Sequence, residues 1–420
     1  MYRSGLDTAE PLEMYCRGGF HPIHIGDLLK EGQYRILDKL GYGGFATVWL
    51  ARDNLRHQNV ALKINTAQSS QGLPRELEVM RQLGRIRHGS PGSQRLRGLV
   101  DDFRLKGPNG VHQCIVADVM GDNVAITAED LCKAGRLPSA IAKRVAHEAA
   151  GGLDYLHRNG IAHGDLNWTN VAFVDTSLTD MDDADLMQYV GTPDMWQVTR
   201  TVPASHEPGV PKYLIWPLAD TRPDLDDLPD VKLIDFGNAF LHNSPPETLS
   251  TATCLLPPEA ALGDRIDHRV DQWHLGCLIF ELFLGQHPFD GITTRREELV
   301  KEMIEKLGPV PERWNELHRQ LPPVGELHLT AEDIADGLGK TYTLDEWVDA
   351  CYFHRDSPQD LGSDGLDELK RILRSLLRYE PSERATAAEI AQDPFFHDIR
   401  HDGRMVSLGK KAMRLFRSTS

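Results

Sequence analysis

The sequence has no run approaching the roughly 18 consecutive apolar residues that a membrane-spanning helix needs. Its opening, MYRSGLDTAEPLEMY, lacks the basic-then-apolar order of a secretory signal. Cysteine is scarce: Cys16, Cys114, Cys132, Cys254, Cys277 and Cys351 form no C-x-x-C pair and have no histidine at zinc-ligand spacing, so they are expected to be buried thiols. An excess of positive charge is missing as well, since 62 acidic residues face 46 basic ones and leave a formal charge of −16. That balance disfavours direct binding to nucleic acid and suits a positively charged peptide partner. No segment repeats. Together these absences point to a protein of the cell interior, in the cytoplasm, the nucleus or both, that works as a monomer without membrane or nucleic-acid contact.

With 40% hydrophobic residues over 420 positions, the chain can bury a large core, and its length suggests two or three compact units. After an N-terminal extension, 1–32, the runs YRILDKLG, FATVWLARD and QNVALKI read as three strands rich in β-branched and aromatic residues. Pro74 then signals a helix whose Leu77, Met80 and Leu83 share a face, and GLVDDFRL and HQCIVADVM add two more strands. Residues 33–120 thus form a small lobe: an antiparallel five-stranded sheet plus one helix. From 121 to 400 the pattern turns helical, beginning with PSAIAKRVAHEAAGGLDYLH, where Ile141, Val145, Ala149, Leu153 and Leu156 recur at three- and four-residue steps. The expected fold is therefore α+β and bilobal. Within the larger lobe, residues 175–230 are rich in proline and acid and read as an insertion with little regular structure. A basic tail, 401–420, is expected to be mobile.

Four local patterns carry chemistry. Gly41, Gly43 and Gly44 lie between the first two strands, where backbone N–H groups without a neighbouring Cβ can approach phosphate oxygens. Alone, such glycines usually mark a hairpin turn. Lys63 on the third strand changes that reading, because its ammonium can neutralise phosphates if a carboxylate on a rigid neighbour holds it, and Glu76 in the following helix is the chosen partner. In IAHGDLNWTN, Asp165 can orient the proton of an incoming hydroxyl, and Asn170, five residues on, can hold Mg²⁺. His163 is assigned to loop architecture. Asp235 ends the apolar strand VKLI, placed to hold the same metal against the phosphates of ATP, with Phe236 packing beneath it.

Four such motifs in this order resemble those of the eukaryotic protein-kinase family. The resemblance covers most of the chain. It extends to Pro257-Pro258-Glu259, with Glu259 paired to Arg384, and to Asp271 bracing the catalytic loop. The opening YCRGGFHPIHIGDLL, the segment WLARD, the run Asp235-Phe236-Gly237-Asn238-Ala239 and the spacer before it are similar to kinases of arginine/serine-rich splicing factors, in a divergent, fungal-type form. That likeness implies a serine/threonine kinase using ATP and Mg²⁺ on a protein substrate, one rich in Arg-Ser dipeptides. It implies an adenine pocket formed by Leu40, Val48, Ala61, Ala117, Asp118 and Met120. Ala117, small at the position before the hinge, is expected to open a pocket behind the adenine that admits bulky mimics.

The pattern also breaks. Gly164 stands where an arginine is usual, Ala46 replaces the third loop glycine, and Leu255-Leu256 replace polar residues near the substrate. Asn167 takes the place of a lysine that would face the γ-phosphate, a loss of about 2–4 kcal/mol of transition-state stabilisation. A nucleotide-binding scaffold without phosphotransfer is therefore the alternative. The loop HGDLNWTN also resembles that of small-molecule phosphotransferases, a reading opposed by Glu259, Asp271 and Arg384.

Overall fold

The computed structural model describes residues 2–3, 10–86, 92–132, 135–200, 207–218, 229–289, 295–324, 341–354 and 359–397. The basic tail lies outside them. Strand β1 is the short Tyr2–Arg3, β2 is Leu28–Leu29, β3 Tyr34–Gly43, β4 Ala46–Asp53, β5 Gln58–Asn65, β6 Leu99–Gly107 and β7 Gly110–Ala117. The last six form one antiparallel sheet in the order β2-β3-β4-β5-β7-β6. All five expected strands are present. The sixth, β2, comes from the N-terminal extension, whose two-residue strand is too short to leave a periodic signal.

Helix α1, Arg75–Arg85, follows Pro74 and buries Leu77, Val79, Met80 and Leu83 on one face. The larger lobe begins with α2, Val124–Leu131, and α3, Ser139–Arg158, the latter burying Val145, Ala149, Leu153 and Leu156 as their spacing predicts. Its centre is a 15-residue helix, Val270–Leu284, in which every residue is buried. A helix buried on every side lies inside the core, and its few polar groups, Asp271 among them, must find partners there. Nearby, Arg384 grips Glu259 through two parallel hydrogen bonds of 2.8 and 2.6 Å, anchoring the segment that ends in Pro257-Pro258-Glu259. Buried at both ends, this fork supplies the partner that each charge needs in a low-dielectric interior. Among the described residues no helix is long and apolar enough to cross a membrane.

The insertion differs from expectation. Its aspartates, which read as loop formers, cap helices: Asp175 accepts from the Ser177 and Leu178 N–H groups, and Asp182 from those of Ala184 and Asp185. Two short helices result, Thr176–Asp180 and Asp183–Val190, and the strands Met195–Gln197 and Tyr213–Ile215 pair antiparallel. Thr199–Arg200 pairs with β1. These elements fold back onto the small lobe. Val198, Val210 and Leu214 pack with Tyr15 and Phe20 of the N-terminal extension, and Leu178 and Leu186 pack on Leu50 and Val119. The expectation for cysteine also needs correcting, since Cys16 is exposed and Cys132 half-buried while the other four are buried.

Lys39 of β3 lies fully inside the small lobe, and its ammonium is met by the equally buried Glu10, which also accepts a 2.6 Å hydrogen bond from the Tyr15 hydroxyl. Burial lowers the Lys39 pKa, and the adjoining carboxylate opposes that shift. Removing one member of such a pair leaves a buried charge without compensation. Glu10→Ala is therefore expected to lower stability by about 3–5 kcal/mol, read as a fall in the urea midpoint. A midpoint equal to that of the wild type would show that the extension does not stabilise the sheet.

Candidate active site

Two short ribbons decide where the site forms. Ile161–Ala162 pairs with Phe240–Leu241, and Val171–Phe173 pairs with Val231–Leu233, both antiparallel. The loop 163–170 and the segment 234–239 are thereby clamped side by side, although some 65 positions separate Asn170 from Asp235. Below them Asp271, fully buried, accepts 2.7 Å hydrogen bonds from the backbone N–H groups of both His163 and Gly164 and a 2.8 Å bond from the His157 ring. Burial alone would raise its pKa, but the His157 hydrogen bond and the surrounding imidazoles bring it down to about 2. The His163 ring bonds the Ile234 carbonyl at 3.1 Å, which ties the two loops together and matches its assignment to architecture.

Gly164 has a local cause. Its φ is +77°, and a Cβ there would stand 2.3 Å from the Asn238 carbonyl oxygen, so no arginine fits without moving the neighbouring segment.

From the small lobe, Lys63 on β5 reaches Glu76 in the first turn of α1, with Nζ at 2.8 and 3.0 Å from its two oxygens. The same ammonium lies 3.1 Å from Asp235. Burial works against the lysine charge, yet the Glu76 and Asp235 carboxylates outweigh it and raise the pKa above the ordinary lysine value. Reciprocally, desolvation raises the Asp235 pKa, but Lys63 and the Gly237 N–H bring the net shift below normal. Asp235 itself has φ of 56°, a left-handed conformation that aspartate tolerates better than most residues. Glu78, by contrast, is exposed, as its position on another helix face implied.

Asp165 is surrounded by neutral donors. Thr251 Oγ1 donates to it at 2.5 Å, Asn238 Nδ2 at 3.2 Å, Asn170 Nδ2 at 3.3 Å and Asn167 Nδ2 at 3.4 Å. No ion pair reaches this carboxylate among the described residues. Asn167 folds inward, and its Oδ1 accepts from the Thr169 N–H and hydroxyl, capping the 3₁₀ turn Trp168–Asn170. Leu255 and Leu256 are buried in the core. The polar contact from that segment comes instead from Thr251, which no motif marks, while Asn238 was noted only as part of the run 235–239 and not for this contact.

The residues expected at the adenine fall as follows. Ala61 and Ala117 are register partners on β5 and β7, Val48 pairs with both Gly41 and Lys63, and half-buried Met120 and Asp118 follow β7. Leu40 is half-buried against Leu50 and Val119. A Cβ at Gly41, Gly43 or Gly44 would meet nothing, so the β3–β4 turn stands open above the cleft. The expected pocket behind Ala117 is not there: the cavity lined by Ala61, Lys63, Glu76, Arg97, Ala117 and Phe236 offers only about 10 Å3. Arg97, a residue no sequence signal marked, is among the side chains that line it.

The protein kinase domain family matches residues 34–202 and 222–396. The chain belongs to that family. Similar curated proteins include a serine/threonine protein kinase of Aspergillus fumigatus, 28% identical over 93% of this chain and 92% of its own. The serine/threonine-protein kinase SRPK of Physarum polycephalum is 29% identical over the same shares, 93% and 92%. SRSF protein kinase 3 of Homo sapiens is 32% identical over 46% of this chain and 33% of its own. This kinase is thus a serine/threonine protein kinase of the SR-protein kinase type, as its motifs implied, and the scaffold alternative gains no support.

The Asp271 shift carries a pH signature. A folded pKa near 2, below the ordinary 3.8, means that its stabilisation is fully present above about pH 4 and is lost as the pH falls towards 2. Asp271→Asn removes that titration. The variant is expected to be less stable near neutrality and to lose urea resistance less steeply than the wild type below about pH 4. Parallel acid limbs would show that Asp271 does not carry the shift.

Proposed function

We propose that this kinase transfers the γ-phosphoryl group of Mg-ATP to serine or threonine hydroxyls in basic, arginine/serine-rich proteins. The observation that carries the reading is the convergence of Lys63, Glu76, Asp165, Asn170 and Asp235 on one cleft from four separate stretches of chain. A divalent metal suits the donors present. Asp235 Oδ2 and Asn170 Oδ1 make no hydrogen bond among the described residues, and two hard oxygens completed by phosphate and water are the kind of shell that Mg²⁺ takes. Bound there, the metal would neutralise charge on the phosphates.

The remaining work belongs to the chain. Glu76 fixes Lys63 so that its ammonium meets the nucleotide phosphates without a search through rotamers. Gly41, Gly43 and Gly44 let backbone N–H groups close over the same phosphates. Asp165 accepts the proton of the acceptor hydroxyl, and Thr251, Asn238 and Asn170 hold its carboxylate in line without neutralising it. Asn167 supports the loop by capping it, so the cation missing at that position is not replaced by this residue. The adenine lies among Val48, Ala61, Ala117 and the hinge 118–120, with Leu40 at its margin.

A basic substrate is supported by the charge of −16 and by relatives whose names include SRSF protein kinase. Action in the cytoplasm or nucleus, as a monomer, is part of the same proposal.

Phosphate transfer to an Arg-Ser repeat peptide is the direct assay. Asp165→Asn is expected to lower kcat by about 10²–10⁴ with nucleotide affinity retained. Thr251→Val, which removes the shortest contact to that carboxylate, should lower kcat by about tenfold with a smaller change in KM. Transfer to neutral serine peptides as fast as to the Arg-Ser repeat would sink the substrate class, and an active Asp165→Asn would sink the mechanism.

A further inference from the structure

Ala61 and Ala117 face each other across β5 and β7, and each ends at Cβ, so neither can limit the cleft at this point. The volume left is nevertheless about 10 Å3, the space of a single water, whereas a cavity that admits benzene measures roughly 150 Å3. Among the side chains that line it is Arg97, which comes from the segment before β6 and reaches the hinge carbonyl of Asp118 beside Ala117.

Two hydrogen bonds hold Arg97 in place. Its backbone N–H donates to the Leu233 carbonyl at 3.0 Å, and its Nε donates to the Asp118 carbonyl at 3.0 Å. Burial lowers the guanidinium pKa, while Glu76, Asp118 and Asp235 act in the opposite direction. An arginine side chain keeps its charge, so displacing it from the Asp118 carbonyl costs a charge-assisted hydrogen bond. The Asp118 side chain is fixed as well, since Lys232 meets its carboxylate at 3.1 Å. A carbonyl oxygen has two lone pairs, so Arg97 occupies one at Asp118 and leaves the other for the exocyclic amine of a purine.

We propose that Arg97 is the specificity-determining residue on the hinge side of the nucleotide site. It closes the space that Ala117 leaves open and thereby excludes purine nucleotides enlarged at the exocyclic amine. This rests on the nucleotide-binding reading above and adds a selectivity that a small residue at 117 would not itself provide. A benzyl group on that amine would have to expel the guanidinium from Asp118 and from the neighbourhood of Glu76 and Asp235. The unmodified amine needs only the vacant lone pair.

Calorimetry on the full chain with two probes, ADP and N6-benzyl-ADP, tests the assignment through the ratio of their affinities within each protein. For the wild type we expect ADP to bind at least about tenfold more tightly. In Arg97→Val the ratio should fall to about threefold or less, because the cavity then accepts the ring. Ala117→Gly enlarges the site at 117 with Arg97 in place and should keep the wild-type ratio. Equal affinities in the wild type, an unchanged ratio in Arg97→Val, or loss of discrimination in Ala117→Gly would each overturn the proposal. Should Arg97→Val fail to fold, the wild type and Ala117→Gly still decide it. A wild type that binds neither probe would instead bring down the nucleotide reading, and the role of Arg97 with it.

Discussion

The contact on which the arrangement depends is the ammonium of Lys63 held between two carboxylates from different parts of the chain. Glu76 belongs to the helix of the small lobe, and Asp235 belongs to a loop clamped in the large one. One cation therefore fixes the helix against the sheet and sets the distance between the lobes at the back of the cleft. Its strength comes from partial burial, since a pair at 3 Å in a medium of reduced dielectric interacts several times more strongly than in water. The same burial would be destabilising without both partners, so the three groups act as a unit.

Around that unit the chain has two sets of supports with different physical origins. In the large lobe they are hydrogen bonds to backbone: Asp271 takes two N–H groups of the catalytic loop, and two-strand ribbons hold the ends of both loops. In the small lobe they are largely apolar, and they come from the N-terminal extension and the insertion between Asn170 and Asp235. Tyr15 and Phe20 from the extension join Val198, Val210 and Leu214 from the insertion, and Leu178 and Leu186 cover Val119 at the hinge. A segment inserted between Asn170 and Asp235 thus packs on the opposite lobe. It adds a second connection between the lobes near the point about which they would otherwise move.

Much of this could be read from the residues. The strands of the small lobe, the helices at 75–85 and 139–158 and the Lys63–Glu76 pairing all follow from strong periodicity or from motifs whose spacing has a mechanical cause. Asp165 and Asp235 were legible because each sits in a run with fixed neighbours. What escaped reading lacks such a frame. The strand Leu28–Leu29 is too short to show alternation, and Asp175 and Asp182 look the same in sequence whether they make a loop or cap a helix. Thr251, Asn238 and Arg97 act through contacts 86, 73 and 21 positions away, which no local pattern encodes. Ala117 was read correctly as small but wrongly as leaving a void, because side-chain volume in a cleft is a property of all its walls.

The distribution of charge in the cleft follows from these substitutions taken together. With glycine at 164 and asparagine at 167, the catalytic loop presents no cation, and Asp165 is oriented by a hydroxyl and three amides. Positive charge is instead concentrated at the back of the site, in Lys63, which two carboxylates engage, and in Arg97, which bonds the Asp118 carbonyl. Under the proposed mechanism the loop would align Asp165 with the acceptor hydroxyl, and neutralising the migrating phosphoryl group would fall to Lys63 and a bound metal. A basic substrate fits the same arrangement. Arginines flanking the acceptor serine can approach an acidic protein whose catalytic loop carries no competing positive charge.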